Sequence, residues 1–160
     1  MTLYAASVPV FLHYLARMRG MLGMGDLTAQ IAGSFPAGQQ FASAVGFTLR
    51  TACPLAQRAV PVLDGPTDAK GVLARIGVAA ATLRALLPAD FAGADVRIIR
   101  HQAGQAMLAQ TGADFLHLYG LPNFFFHLTM GYAALRSAGA DLGKADFDGF
   151  HAYPAGFRFS

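Results

Sequence analysis

Residues 27–49 and 115–135 each run without a single Asp, Glu, Lys or Arg. Runs of this length match the roughly 20 residues that a membrane-spanning helix needs. The first, however, holds three Gln, two Ser and three Gly, and the second holds Pro122, Asn123, His117 and His127. Such residues are expensive in lipid unless they serve a purpose there. Both runs therefore read as helices buried inside a bundle, and no membrane association is expected.

Helical periodicity dominates the rest of the chain. A first helix is predicted over 3–22, with Val10, Tyr14, Met18 and Met21 on one face, ending at "GMGD". A second is expected from about Ser34, a plausible N-cap with Pro36 in the first turn, to about Val60. Pro54 falls inside it and predicts a kink near Arg50 and Thr51. A third helix is capped by Thr67 or Asp68 and runs to about Leu87. The pattern then changes: "DVRIIRH" and "QAMLAQ", separated by "QAG", read as a short hairpin. Thr111 and Asp114 have the capping-box spacing and open a short helix through Tyr119. Pro122 opens the last long helix, which Gly139 ends. The tail from Ala140 reads as a loop whose aromatics, Phe147, Phe150, Tyr153, Phe157 and Phe159, pack back on the helices. Together these segments predict an all-α domain over residues 1–160: a four-helix bundle with a short β-hairpin between helices 3 and 4.

Several classes of function are removed by what the chain lacks. It has no Glu, so the Glu-x-x-His pairs of carboxylate di-iron bundles and the H-E-x-x-H motif of zinc proteases are both absent. Its arginines are scattered singly from Arg17 to Arg158, not gathered in the basic stripe that nucleic-acid binding requires. "GADLGKAD" has the wrong spacing for a phosphate loop and follows a helix. The one cysteine, Cys53, permits no internal disulfide. With an N-terminal stretch unlike a signal peptide, that predicts a cytoplasmic protein. A chain 54% hydrophobic and 13% charged predicts an apolar surface covered by a second copy, a homodimer.

The residues left to carry chemistry are few. The final helix is apolar nearly all round, with Phe125, Leu128, Tyr132 and Leu135 on one stripe and Phe124, His127, Gly131 and Ala134 on the next. His127 is thus either a metal ligand or a packed core residue. The candidate pocket around it is Asn123, Phe124, His127, Gly131 and Tyr132. No two histidines are spaced to share a helix face, so a metal site would need His127 to meet His117, His13 or Cys53 through the fold. Cys53 has only Arg50 and Arg58 as cationic neighbours in sequence, which favours a buried inert thiol.

The strings "LYAASVPVFLHYL", "LPNFFFHLTMGYAALRSAG" and "LGKADF" resemble an uncharacterised bacterial family within the DinB/YfiT-like superfamily. The match is at both ends of the chain and weak between them. The resemblance implies a bundle of up-down-down-up type, commonly a homodimer. Many relatives carry one divalent metal (Zn, Ni or Fe) on three histidines, and thiol-dependent transferases and isomerases are among them. His127 corresponds to a ligand-type position. The helix-two ligand would fall within "TACPLAQRA", where Pro54 and Leu55 replace a polar or acidic residue and Cys53 is a neighbouring substitute. Two readings remain. One is a metal-free or degenerate-site bundle that binds a small apolar or thiol ligand near His127. The other is a metal-dependent, thiol-handling transferase with His127 as ligand, His117 or His13 as the second and Cys53 as a candidate to complete the set.

Overall fold

Thr2 starts the first helix by accepting a hydrogen bond from the Ala5 N–H, and Asp68 starts the third by accepting one from Gly71 at 2.7 Å. The computed structural model describes residues 1–154. Its helices are α1 (Leu3–Met21), α2 (Ala37–Leu55), α3 (Ala69–Ala85), α4 (Gly112–Asp114), α5 (Leu121–Ser137) and α6 (Lys144–Asp148). A 3₁₀ turn spans Pro88–Phe91, and a π-helical segment, Phe115–Gly120, joins α4 to α5. Strands β1 (Ile98–Ala103) and β2 (Ala106–Thr111) pair antiparallel, from Ile98 opposite Thr111 to Ala103 opposite Ala106. The protein is mostly helical, with one small two-stranded sheet.

Helix α2 is the centre of the packing. It contacts α5 most extensively, then α3 and α1, while α1 also packs on α3 and α6. Phe41, Val45, Leu49 and Ala52 of α2 join Phe11, Leu15 and Met18 of α1, Leu83 of α3 and Phe124, Leu128 and Leu135 of α5 in one buried cluster. Among the described residues no helix is long and apolar enough to cross a membrane.

Several boundaries differ from the sequence expectation, each for a physical reason. The buried stripe of α1 is Leu3, Val8, Phe11, Leu15 and Met18, so Val10 and Tyr14 sit at its edge and not at its centre. Pro36, not Ser34, precedes α2, and the carbonyls of Ala29 and Leu27 take the N–H groups of Ala37 and Gly38. A loop backbone therefore caps this helix where a side chain was expected. Pro54 lies in the last turn of α2, and the helix ends at Leu55 instead of Val60. Gln57 adopts φ +55, and the N–H groups of Gln57 and Arg58 return to the carbonyls of Pro54 and Cys53. This is a Schellman ending with Gln at the position that glycine favours.

The largest difference lies before α5. The short helix ending at Tyr119 and the helix starting at Pro122 form one unbroken run from Gly112 to Ser137. Pro122 brings no N–H, and the π winding ahead of it moves the Leu121 N–H to Leu116 O, five residues back. The wider turn sets Gly120 against α2, where a Cβ would lie 2.4 Å from the Thr51 methyl. At the far end Gly139 (φ +92) closes α5 as the sequence indicates, with Ala140 N–H returning to Leu135 O. The tail is not all loop: α6 docks on α1 through Arg17, which donates to the Asp146 and Ala145 carbonyls, and His13, which donates to Asp148 O at 2.7 Å. Phe147 packs against the core and Phe150 stacks on His13 at 4.9 Å, while Phe157 and Phe159 fall outside the described residues.

Candidate functional site

Where α5 crosses the first half of α2, His127 meets two α2 residues separated by two helical turns. Its Nδ1–H donates to Gln40 Oε1 at 2.7 Å, and its ring stacks on Phe47 at 5.4 Å with 22° between planes. Gln40 is 2% exposed, a polar side chain inside an otherwise apolar helix face. The bond satisfies both groups, and it fixes the proton on Nδ1 and leaves Nε2 as the bare nitrogen. Burial, and secondarily the Arg50 guanidinium, hold the His127 pKa below the ordinary value of 6.5, so the ring is neutral at pH 7.

Phe47 also meets Arg50 and Tyr119. The Arg50 guanidinium carbon lies 4.1 Å from the Phe47 ring centroid, and Tyr119 of the π segment meets Phe47 edge-on at 5.8 Å. The Phe47 ring thus contacts both a neutral imidazole and a cation. A guanidinium lying on an aromatic face keeps its N–H edge free for a further partner. Among the described residues the ion pairs are Arg58 with Asp90 and His151 with Asp148, and Arg50 enters neither.

Arg50 opens onto a cleft of about 500 Å³ between the end of α2, the hairpin and the π segment. Pro54, Val60, His101, Gln102, Gly104, Phe115 and Tyr119 complete its lining. Arg97 holds the hairpin over α2 by donating to Leu55 O at 2.6 Å and Ala92 O at 2.9 Å. His101 packs on Tyr119 at 4.2 Å and Phe115 at 4.8 Å. Its Nε2–H donates to Gln110 Oε1, while its Nδ1 is buried with no hydrogen-bond partner. An unpaired buried acceptor of this kind costs about 1–3 kcal/mol. A second hollow of about 400 Å³, between α2 and the loop before α3, shares Arg50 and Val60 with the first.

The residues singled out from the sequence do not gather in one place. Phe124 is wholly buried against Phe11 at 5.1 Å. Asn123 turns back on its own helix, donating to Tyr119 O at 2.8 Å. Gly131 is filled by the Phe41 ring, so close that a Cβ there would sit 2.6 Å from it. Tyr132 faces α6, packing edge-on with Phe147 at 5.4 Å. Of these five pocket residues, only His127 stacks on Phe47, and none lines either hollow.

The proposed ligand set is likewise dispersed. His13 is engaged with Asp148, and His117 is exposed and donates to Ala113 O at 2.9 Å. Cys53 is buried, and that burial raises its thiol pKa to about 11, which leaves it protonated and unreactive at neutral pH. Among the described residues no three His, Cys, Asp or Glu side chains converge closely enough to share a metal ion. Around His127 the donors are one imidazole and one amide oxygen, which does not match a three-histidine site.

Gln40, Phe47, Arg50, Tyr119 and His101 are the residues that pattern reasoning passed over. Arg50 did leave a mark in the sequence, since it is the cation that ends the uncharged run 27–49.

Over residues 3–148 the sequence matches the family described as Domain of unknown function (DUF1993). The chain belongs to this family. Among solved structures, this DUF1993 protein is similar to a DinB family member protein from Shewanella denitrificans, at 25% identity and a TM-score of 0.82. The match covers 96% of this chain and 95% of that one, so the DinB-like fold accounts for nearly the whole chain. Comparison with the curated proteins finds no match.

Proposed function

We propose that this DUF1993 protein binds a small organic molecule in the cleft between the end of α2, the hairpin and the π segment. The observation that carries this reading is a wall combining the cation Arg50, which lies over the Phe47 ring, with polar His101 and Gln102 and apolar Pro54, Val60 and Phe115. Concave, mostly apolar hollows with a few convergent polar groups are where small ligands bind, and 500 Å³ suits a compact one. The scaffold is a four-helix bundle of the up-down-down-up type, acting as a homodimer. Leu73 and Val78 on α3 and Phe126 on α5 support the pairing, because they leave large apolar side chains at the surface. Sedimentation velocity at two concentrations tests it, and a monomer at both would remove it.

The ligand reading is tested by titrating indole, benzamide and benzoate into ¹⁵N-labelled protein. Shifts are expected to cluster on Arg50, His101, Gln102 and Tyr119, and shifts spread evenly over the chain would end the reading. Metal content measured on the same untagged sample, with a His127→Ala variant beside it, tests the transferase reading. One equivalent of Zn, Ni or Fe, lost in the variant, would turn attention from the cleft to His127.

A further inference from the structure

We propose that the cleft selects a monoanionic ligand: a carboxylate on a planar apolar body, with Arg50 as its anchor. This rests on the cleft being the ligand seat proposed above.

Charge is the first argument. Arg50 is the one Lys or Arg among the lining residues, and no Asp faces it there. Among the described residues it makes no ion pair, and its guanidinium lies over the Phe47 ring. The neighbouring cations are committed elsewhere. Arg97 uses its fork on the Leu55 and Ala92 carbonyls, Arg75 uses its own on the Leu63 and Gly65 carbonyls, and Arg58 pairs with Asp90. An aromatic face below a guanidinium leaves its N–H edge pointing sideways, the geometry that grips a carboxylate with two parallel hydrogen bonds. A single uncommitted cation suits a single negative charge. A phosphate, with near two charges at pH 7, is met in proteins by clusters of cations and backbone N–H groups, which this wall does not supply.

Shape is the second argument. Phe115 and Tyr119 are stacked with 22° between their planes at 5.7 Å, and His101 lies against both. With Pro54 and Val60, these rings make the lining of the cleft aromatic and apolar. A planar body buries apolar area against such a lining with little conformational entropy lost on binding.

The experiment titrates benzoate, its uncharged isostere benzamide and the cation benzylamine into the full chain, following amide shifts and heat. Benzoate is expected to move Arg50, His101 and Tyr119 and to bind about tenfold more tightly than benzamide, the weight of one charge-assisted pair. Arg50→Gln should remove that preference, and Arg50→Lys, which keeps the charge and loses the fork, should restore part of it. Added salt should weaken benzoate alone. Arg50 is exposed, so these variants are expected to keep the wild-type circular dichroism and melting point. Equal binding of benzoate and benzamide in the cleft would overturn the carboxylate class and leave the ligand seat standing. Benzoate shifts away from Arg50, or no shifts with any of the three probes, would overturn both.

Discussion

The seam between α2 and α5 is closed at one end and open at the other, and two residues on each side account for the difference. At the closed end Gly131 gives up its side chain and the Phe41 ring enters the vacated space, so the two helices touch through an aromatic face. At the other end Phe47 and Tyr119 stand edge to face, and Arg50 with the hairpin holds a hollow open beside them. The π segment marks the change, because it widens the helix just where Gly120 presses on Thr51. The same pair of helices is thus close-packed over one half and borders a hollow at the other. His127 lies between the two, tied to Gln40 on the closed side and stacked on Phe47 toward the open side.

Filling the closed end should produce the largest effect. In Gly131→Val a branched side chain must occupy space that Phe41 holds, and overpacking of this kind is expected to destabilise by about 3 kcal/mol. Denaturant unfolding measures it. Adding Phe41→Leu to the same chain should recover part of the loss, since the smaller side chain yields room. Recovery would locate the strain in that contact, and two additive losses would place it elsewhere. Next in size is Gln40→Leu, which leaves the His127 Nδ1–H without its acceptor. A loss of about 1–2 kcal/mol is expected from the unpaired group. A neutral outcome would mean that water reaches the half-buried ring and replaces the amide.

Much of the closed end was legible in the sequence, and little of the open end was. The last helix, its glycine stop and the place of His127 on its inner stripe follow from period and composition, because helices advertise their buried face every three or four residues. The hairpin was also visible, with β1 shifted toward the turn relative to "DVRIIRH". What periodicity could not give was contact between segments far apart. Gln40 and His127 are 87 residues apart, and nothing local in "GQQF" reveals which glutamine is buried. The groove expected under Phe124 and Gly131 illustrates the same limit. A glycine in a helix predicts close approach by something, and only the fold shows that the neighbour is a phenylalanine ring that fills the space. Pro122 misled for a different reason: proline at a helix start is the common case, and the π winding that admits it inside a longer helix has no composition signal.

The pH dependence sharpens the comparison at its midpoint. His127 has a folded pKa below 6.5, so between that folded value and 6.5 the unfolded chain binds the proton more readily. Stability is then fully present above about pH 6.5 and declines as pH falls through that window. His127→Phe should remove this part of the acid sensitivity, read as a flatter plot of unfolding midpoint against pH from neutral downward. The effect should be smaller than that of Gln40→Leu, because the ring is partly exposed and solvent screens it. Arg50→Gln should shrink it slightly, and the greater part should survive, since burial is the larger cause. If Arg50→Gln abolished it, the coupling across Phe47 would outweigh desolvation.

The smallest expected effect is a gain, and it lies at the open end. Gln57 sits at φ +55 in the Schellman ending of α2, three residues before Val60, which lines both hollows. A side chain in that left-handed region costs roughly 1–2 kcal/mol relative to glycine. Glycine in turn gives the unfolded chain more freedom to lose, worth about 0.5–1 kcal/mol the other way. Gln57→Gly should therefore stabilise by about 0.5 kcal/mol, seen as a small rise in melting point. The loop leaving α2 carries Val60 to the cleft rim, so the same variant reports on function as well as stability. If the strain at Gln57 is local, melting rises and benzoate binding is unchanged. If melting rises and binding weakens, Gln57 also sets the exit angle that places Val60, and the open end is held open by a strained turn as well as by the hairpin.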